Sequence, residues 1–279
     1  MTSATRVPLN ACRSALTLGF HRSAPQGLLD KKGYVSEASQ NLIEGVRLEN
    51  FEADLRQGDG NELEGKFLAA HSSSALVVNT FAPFKANAAA LQLPGSGGFA
   101  SLHFERKCPH GLVGRRSPNL DVLADGPNGV VAIESKCLEI LTPHKAEFAP
   151  AYRAEITDER RGTPWFREMG RLVEEPRTYR WLDAAQLVKH AFGLAYGEFV
   201  NRRVTLLYLY WEPSNPEVYP IFAEHRAEMT RFAASVIGGG PEFVAMSYPE
   251  LWRWWDTQTE PEWLLAHVGR LMARYGVAA

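Results

Sequence analysis

Between residues 36 and 57 charged side chains alternate with Leu42, Ile43, Val46, Leu48, Phe51 and Leu55 at helical spacing, which predicts an amphipathic helix stopped by Gly58 and Gly60. Residues 61–70 predict a second helical stretch, and Ser72, Ser73 and Ser74 offer caps for a further turn through 75–79. The period then changes to two. In 99–107, Leu102 and Phe104 alternate with polar neighbours as in a half-buried strand, and 120–124 and 130–141 predict two more. Asp125-Gly126-Pro127-Asn128-Gly129 separates these two and is turn chemistry, so they form a hairpin. Residues 142–180 are dense in mixed charge and predict a helical or irregular insertion. A helix over 181–199, a continuous apolar strand over 204–210, a helix over 220–237, a short strand over 243–248 and an amphipathic helix over 260–275 complete the order. Helices alternating with strands in this way predict a mixed α/β architecture around one sheet, with no domain boundary between 36 and 279.

Composition changes this picture little. The 279 residues, 45% hydrophobic and 22% charged, can bury a sizeable core, and this balance excludes collagen-like or wholly disordered chains. Cys12, Cys108 and Cys137 are too few and too scattered for a disulfide framework or a thiolate zinc site, which points to a reducing, cytoplasmic setting. Cys108 and His110 are two ligand types without a second pair, so they do not make a zinc site either. No run reaches the eighteen apolar residues of a spanning helix, so no membrane partner is expected. Before Asp30 the chain has Arg6, Arg13 and Arg22 and no acid, a composition that overlaps with transit peptides; the reading adopted is a poorly ordered tail over 1–35. A net charge of −2 gives no global pull toward nucleic acid, yet acidic metal ligands can offset a basic binding face.

The informative residues are Asp121, Glu134 and Lys136. A turn centred between Pro127 and Asn128 places Asp121 directly opposite Glu134 on one face of the hairpin, with Lys136 two residues further along that face. Ser135 points to the other face, while its carbonyl stays at the same rim. Like charges opposed across a ladder destabilise it unless something positive lies between them. Two carboxylates are a hard oxygen set suited to Mg²⁺, an ion usually completed by water and substrate phosphate oxygens, and Lys136 could position water or stabilise charge on phosphorus oxygens. A solvated polar face of an edge strand would also explain Glu134 and Lys136. Against it, the buried-type run Val130-Val131-Ala132-Ile133 puts these charges at the end of an interior strand.

Pro118-Asn119-Leu120-Asp121, a twelve-residue spacer and Glu134-Ser135-Lys136 resemble the PD-(D/E)XK nuclease superfamily, although proline and aspartate are three positions apart here rather than adjacent. Residues 61–84, 104–121 and the run Leu182-Asp183-Ala184-Ala185-Gln186-Leu187-Val188-Lys189-His190 are similar to a group of bacterial restriction endonucleases within it. The resemblance covers about 62–210 and implies a restriction-endonuclease-like αβββαβ core. It further implies a metal-dependent DNA endonuclease of restriction or defence type, in which Asp121 and Glu134 bind Mg²⁺ (or Mn²⁺), the Ser135 carbonyl adds a ligand and Lys136 assists the water. A first-helix glutamate often joins such a site; Glu62 is the candidate, with Glu64 as runner-up and a Glu62–Lys66 surface pair as the plain alternative.

On the helix over 181–199, Asp183, Gln186, Lys189, His190 and Gly193 form one polar stripe on an otherwise apolar surface, and such a stripe needs partners. The catalytic rim could supply them, with Gln186 arranging the site as a glutamine does in related nucleases and Lys189 beside it. Glu105 is a further candidate carboxylate. Arg106, Lys107, Arg115 and Arg116 lie beside the rim and could clamp phosphates, with an ordinary exposed loop as the alternative. Cutting both strands with one site per chain would favour a homodimer. A catalytically silent DNA-binding or protein-interaction module and a repair or RNA nuclease are the rival functions.

Overall fold

The computed structural model describes residues 3–57, 62–108, 119–155, 157, 160, 162–195, 199, 201–258 and 261–279, with side chains from Arg6 onward. Its centre is a five-stranded sheet in the order β3-β4-β5-β6-β7, where β3 is Ser101–Lys107, β4 Asn119–Gly126, β5 Gly129–Lys136, β6 Val204–Tyr210 and β7 Glu242–Ser247. The first two pairings are antiparallel and the last two parallel. A two-stranded ribbon, β1 Gln92–Leu93 and β2 Ser96–Gly97, stands apart. The hairpin register is the expected one: Gly126 pairs with Gly129, Val122 with Ile133, and Pro127-Asn128 form the turn. Gly129 is required there because its φ is +148° and a Cβ would lie 2.9 Å from the Arg203 carbonyl oxygen. Every residue of β6 is buried, as in a strand covered on both faces.

Two helical layers cover the sheet. α6 (Ala184–Ala195) and α7 (Pro220–Val236) follow β5 and β6 as crossovers between parallel strands. Residues 142–180 are not an appendage, because α5 (Pro164–Glu174) buries Trp165, Phe166, Met169 and Leu172 in the main core, with the shorter α4 (Pro150–Ala154) before it. On the other side lie α3 (Ser73–Phe81, capped by Ser72), α8 (Tyr248–Asp256) and α9 (Trp263–Tyr275). The sequence pattern does not show α8; its Trp252 and Trp255 are fully buried core residues.

Three expectations are corrected. Residues 3–23 form a helix, α1 (Ser3–Ser23), with Leu9, Cys12, Leu16 and Phe20 buried. The stretch over 36–57 is mostly short 3₁₀ turns that end in α2 (Glu52–Gln57), and the described part of 61–70 is two more 3₁₀ turns, so apolar side chains at helical spacing reach the core here without a continuous helix. The strand expected over 130–141 stops at Lys136, and Glu139–Leu141 is a 3₁₀ turn.

Two core histidines make stability pH-dependent. His225 is buried with its Nε2 3.1 Å from the Tyr208 hydroxyl, and burial pushes its pKa down to about 3. Burial pushes His267, on α9, to about 4. Unfolded histidines protonate near pH 6.5, so from there down to about pH 4 the unfolded chain binds two more protons and stability falls as pH falls, by about 1.4 kcal/mol per pH unit for each proton. Urea unfolding of His225→Gln should show a shallower slope in this window than wild type; an identical slope would refute the assignment.

Candidate active site

The end of the hairpin carries the site. Val130 to Ile133 are buried in β5, and the charges follow directly: Glu134 is 2% exposed and Lys136 lies at the lip. Alternation sends Glu134 and Lys136 toward α6 and Ser135 the other way, where its hydroxyl shares a 2.6 Å hydrogen bond with the Tyr248 hydroxyl of α8. The β4–β5 ladder ends at Val122–Ile133, so Asp121 is freed from regular pairing one step beyond it. The Ser135 N–H donates to Asp121 Oδ2 at 2.6 Å. Because N–H and C=O of one strand residue point to the same edge, the Ser135 carbonyl also looks toward β4 and Asp121.

Lys136 Nζ lies 2.5 Å from Glu134 Oε1 and donates to Gln186 Oε1 at 2.8 Å. His190, one turn along α6 from Gln186 and 1% exposed, places Nε2 2.8 Å from Glu134 Oε2 without hydrogen-bond alignment. The polar stripe on α6 therefore meets the rim through Gln186 and His190, with Lys189 lining the same cleft. Sequence reasoning included His190 in that stripe but assigned it no role. Asp183 caps α6 by accepting the Gln186 N–H at 3.1 Å. Gly193 does not face the rim: a Cβ there would sit 2.8 Å from the Cys108 carbonyl oxygen, so glycine lets the helix approach the end of β3.

These residues open on a cleft of about 530 Å³, whose lining includes Glu62, Glu105, Asp121, Glu134, Lys136 and Lys189. Glu62 accepts a hydrogen bond from the Ser74 hydroxyl at 3.0 Å and makes no ion pair with Lys66 among the described residues. Lys189 lies 5.6 Å from the centroid of the Phe148 ring, and burial lowers its pKa. Glu105 falls in register opposite Asp121, but the β3–β4 ladder skips that pair; Glu105 has φ +49°, a left-handed conformation that costs a non-glycine residue about 1 kcal/mol or more and tends to cluster at functional sites. Arg106 and Lys107 are exposed at the end of β3, whereas Pro118, Arg115 and Arg116 lie outside the described residues. Glu139, which sequence reasoning missed, also lines the cleft; its carboxylate accepts from the Ser73 hydroxyl at 2.8 Å and the Cys137 N–H at 2.7 Å.

The charges are unequal. Burial, then repulsion from Glu134 and Glu105, pushes the Asp121 carboxyl well above the ordinary carboxylate range despite Lys136 and the Ser135 N–H. Glu134 is held at about 2, because Lys136 and His190 outweigh the burial that opposes ionisation. Burial also opposes charge on Lys136, yet Glu134 and Asp121 raise its pKa overall. Glu134 Oε2 is buried without an aligned donor, and Asp121 is reluctant to ionise without added positive charge. Among the described residues no three His, Cys, Asp or Glu side chains form a closed metal cage. Two carboxylates and a carbonyl instead fit Mg²⁺, which retains waters and needs no full protein cage. His190→Leu should destabilise the protein by about 1–3 kcal/mol in urea unfolding, since it leaves Glu134 Oε2 buried beside an apolar side chain; His190→Gln should recover part of this, and a neutral His190→Leu would remove the contact from the argument.

A family model described as Restriction Endonuclease associating with ARP matches residues 19–276. This chain belongs to that family. The match takes in the whole five-stranded sheet, the α6 contacts at the rim and only the C-terminal end of α1, so the mixed sheet flanked by helices is the restriction-endonuclease-like fold. No curated protein and no solved structure matches the chain. None of the described helices of this family member is long and apolar enough to cross a membrane.

Proposed function

We propose that the chain is a Mg²⁺-dependent DNA endonuclease of the PD-(D/E)XK type, acting in the cytoplasm in restriction or defence. The reading rests on one observation above all: two strand ends bring Asp121, Glu134 and Lys136 to one cleft and α6 braces two of them from behind. Asp121, Glu134 and the Ser135 carbonyl would hold the metal, with Glu62 at the cleft wall as a further or water-mediated ligand. Bound there, Mg²⁺ would supply Lewis acidity to the phosphodiester and to a nucleophilic water, and Mn²⁺ could substitute.

The chain's own residues do the remaining work. Gln186 and Glu134 hold the Lys136 ammonium in one place, so its free N–H can orient water or meet charge growing on a phosphoryl oxygen without rearranging first. Lys189 adds positive charge to the same wall. The family description associates such enzymes with ARP, and we infer a protein partner of that kind for this chain; paired strand cuts by one site per chain would call for a homodimer.

The test is incubation of phage-length duplex DNA with wild type and with Asp121→Asn, in Mg²⁺, in Mn²⁺ and in chelator. Metal-dependent cutting that disappears in the variant is the expected result. Cutting that survives in chelator, or in the variant, would overturn the reading.

A further inference from the structure

Beyond the cleft, the segments 143–145 and 177–180 enclose a hollow of about 380 Å³ lined by Pro143, His144, Lys145, Arg177 and Arg180, four basic side chains and no acidic one. Its frame is rigid. The His144 N–H donates to the Arg180 carbonyl at 2.7 Å and the Ala146 N–H to the Pro176 carbonyl at 2.8 Å, tying the two segments together. From below, the buried Glu228 carboxylate of α7 accepts the N–H groups of Arg180, Trp181 and Leu182 at 2.8 to 3.0 Å. The Trp181 indole N–H is fixed to Glu224 at 2.7 Å, and the Arg180 guanidinium lies 4.4 Å from the centroid of the Trp181 ring.

Of the basic side chains, Lys145 pairs with Glu147 at 3.4 Å and His144 faces Asp183, which leaves the two arginines. Arg177 and Arg180 are both exposed, and neither makes an ion pair among the described residues. Glu228 is turned inward to hold the backbone and Glu224 to hold the Trp181 indole, so neither neutralises the two guanidinium groups. The hollow also shares a wall with the cleft: His144 Nε2 is 3.2 Å from the Glu139 carbonyl and its Nδ1 3.7 Å from Asp183 Oδ2, with Glu139 lining the cleft and Asp183 capping the helix that carries Gln186.

We propose that this hollow is a second nucleic-acid contact, where Arg177 and Arg180 grip phosphates of the duplex backbone flanking the scissile phosphate; the proposal rests on the nuclease reading above. Planar guanidinium forks match phosphate oxygens, and a preformed frame means that binding orders little more than two side chains. Because such contacts fall on phosphates and not on base edges, they fix register along the DNA and are independent of its sequence.

The experiment is fluorescence anisotropy of a labelled duplex with the full-length protein in chelator, over a range of salt concentrations. It compares wild type, Arg177→Glu/Arg180→Glu and the milder Arg177→Gln/Arg180→Gln, with thermal melts to establish that each is folded. The charge reversal should weaken binding at least about tenfold, the neutral pair less, and the slope of log K against log salt should become shallower by about two. Variants that match wild type in affinity and salt slope would overturn the hollow while the cleavage test of Asp121→Asn still stands. Unchanged DNA affinity together with loss of an acidic protein partner would overturn it in favour of a protein-docking role. A wild-type chain that binds no duplex would overturn the hollow, while the cleavage test with and without metal decides the nuclease reading separately.

Discussion

Asp121→Asn is expected to lower metal-dependent cleavage on the order of a thousandfold or more while leaving the protein at least as stable as wild type. The two effects have one cause. Asp121 sits beside Glu134 with Glu105 on its other flank, and burial and these neighbours together make its negative charge unfavourable in the absence of a cation. Asparagine keeps an oxygen able to accept the Ser135 N–H, so the local bond survives while the repulsion is removed. A gain of up to about 1 kcal/mol is the scale for relieving like charges directly across a ladder. The loss of activity follows because a neutral amide oxygen is a poor ligand for a hard cation, and a thousandfold corresponds to about 4 kcal/mol of transition-state stabilisation. Cleavage rates and urea midpoints measured on one preparation check both halves. A variant that cuts normally would move the catalytic centre elsewhere, and one that fails to fold would assign Asp121 a structural role.

Removing residues 1–23 is expected to destabilise the protein by more than about 5 kcal/mol, a large share of a typical domain's total stability. Leu9, Leu16 and Phe20 of α1 are buried, and each such side chain contributes about 1.5–3 kcal/mol by leaving water. α1 and α9 approach to backbone contact, since a Cβ on Gly19 would lie 2.2 Å from the Arg274 carbonyl oxygen. The buried Arg274 donates to the Leu16 carbonyl, the Ala70 carbonyl and Asn41 Oδ1, each at 3.1 Å, and its guanidinium lies 4.5 Å from the Phe20 ring centroid. Truncation would strip this cation of one acceptor and of the Phe20 ring at once. The expected readout is a melting temperature lowered by more than about 10 °C, or loss of soluble protein. A truncated chain that melts with wild type would show that the helix is dispensable.

What the sequence determined is what local periodicity and turn chemistry can specify. The Pro127-Asn128 turn set the hairpin register, and with it the meeting of Asp121 and Glu134, because side-chain alternation in a strand leaves no freedom once the turn is placed. The spacing of Gln186 and His190 marked one face of a helix that needed polar partners, although not which atoms those would be. The tertiary structure decided the rest. Before Asp30 the pattern is too weak and too free of acids to look like a core element, and α1 finds its main surface on α9, at the other end of the chain. Over 36–70, apolar side chains at helical spacing are buried by short 3₁₀ turns that follow the core's shape, so tertiary packing overrode local propensity. The fixed position of Lys136 and the hollow under Arg177 and Arg180 likewise depend on contacts between residues about fifty apart, a separation at which no local pattern carries information.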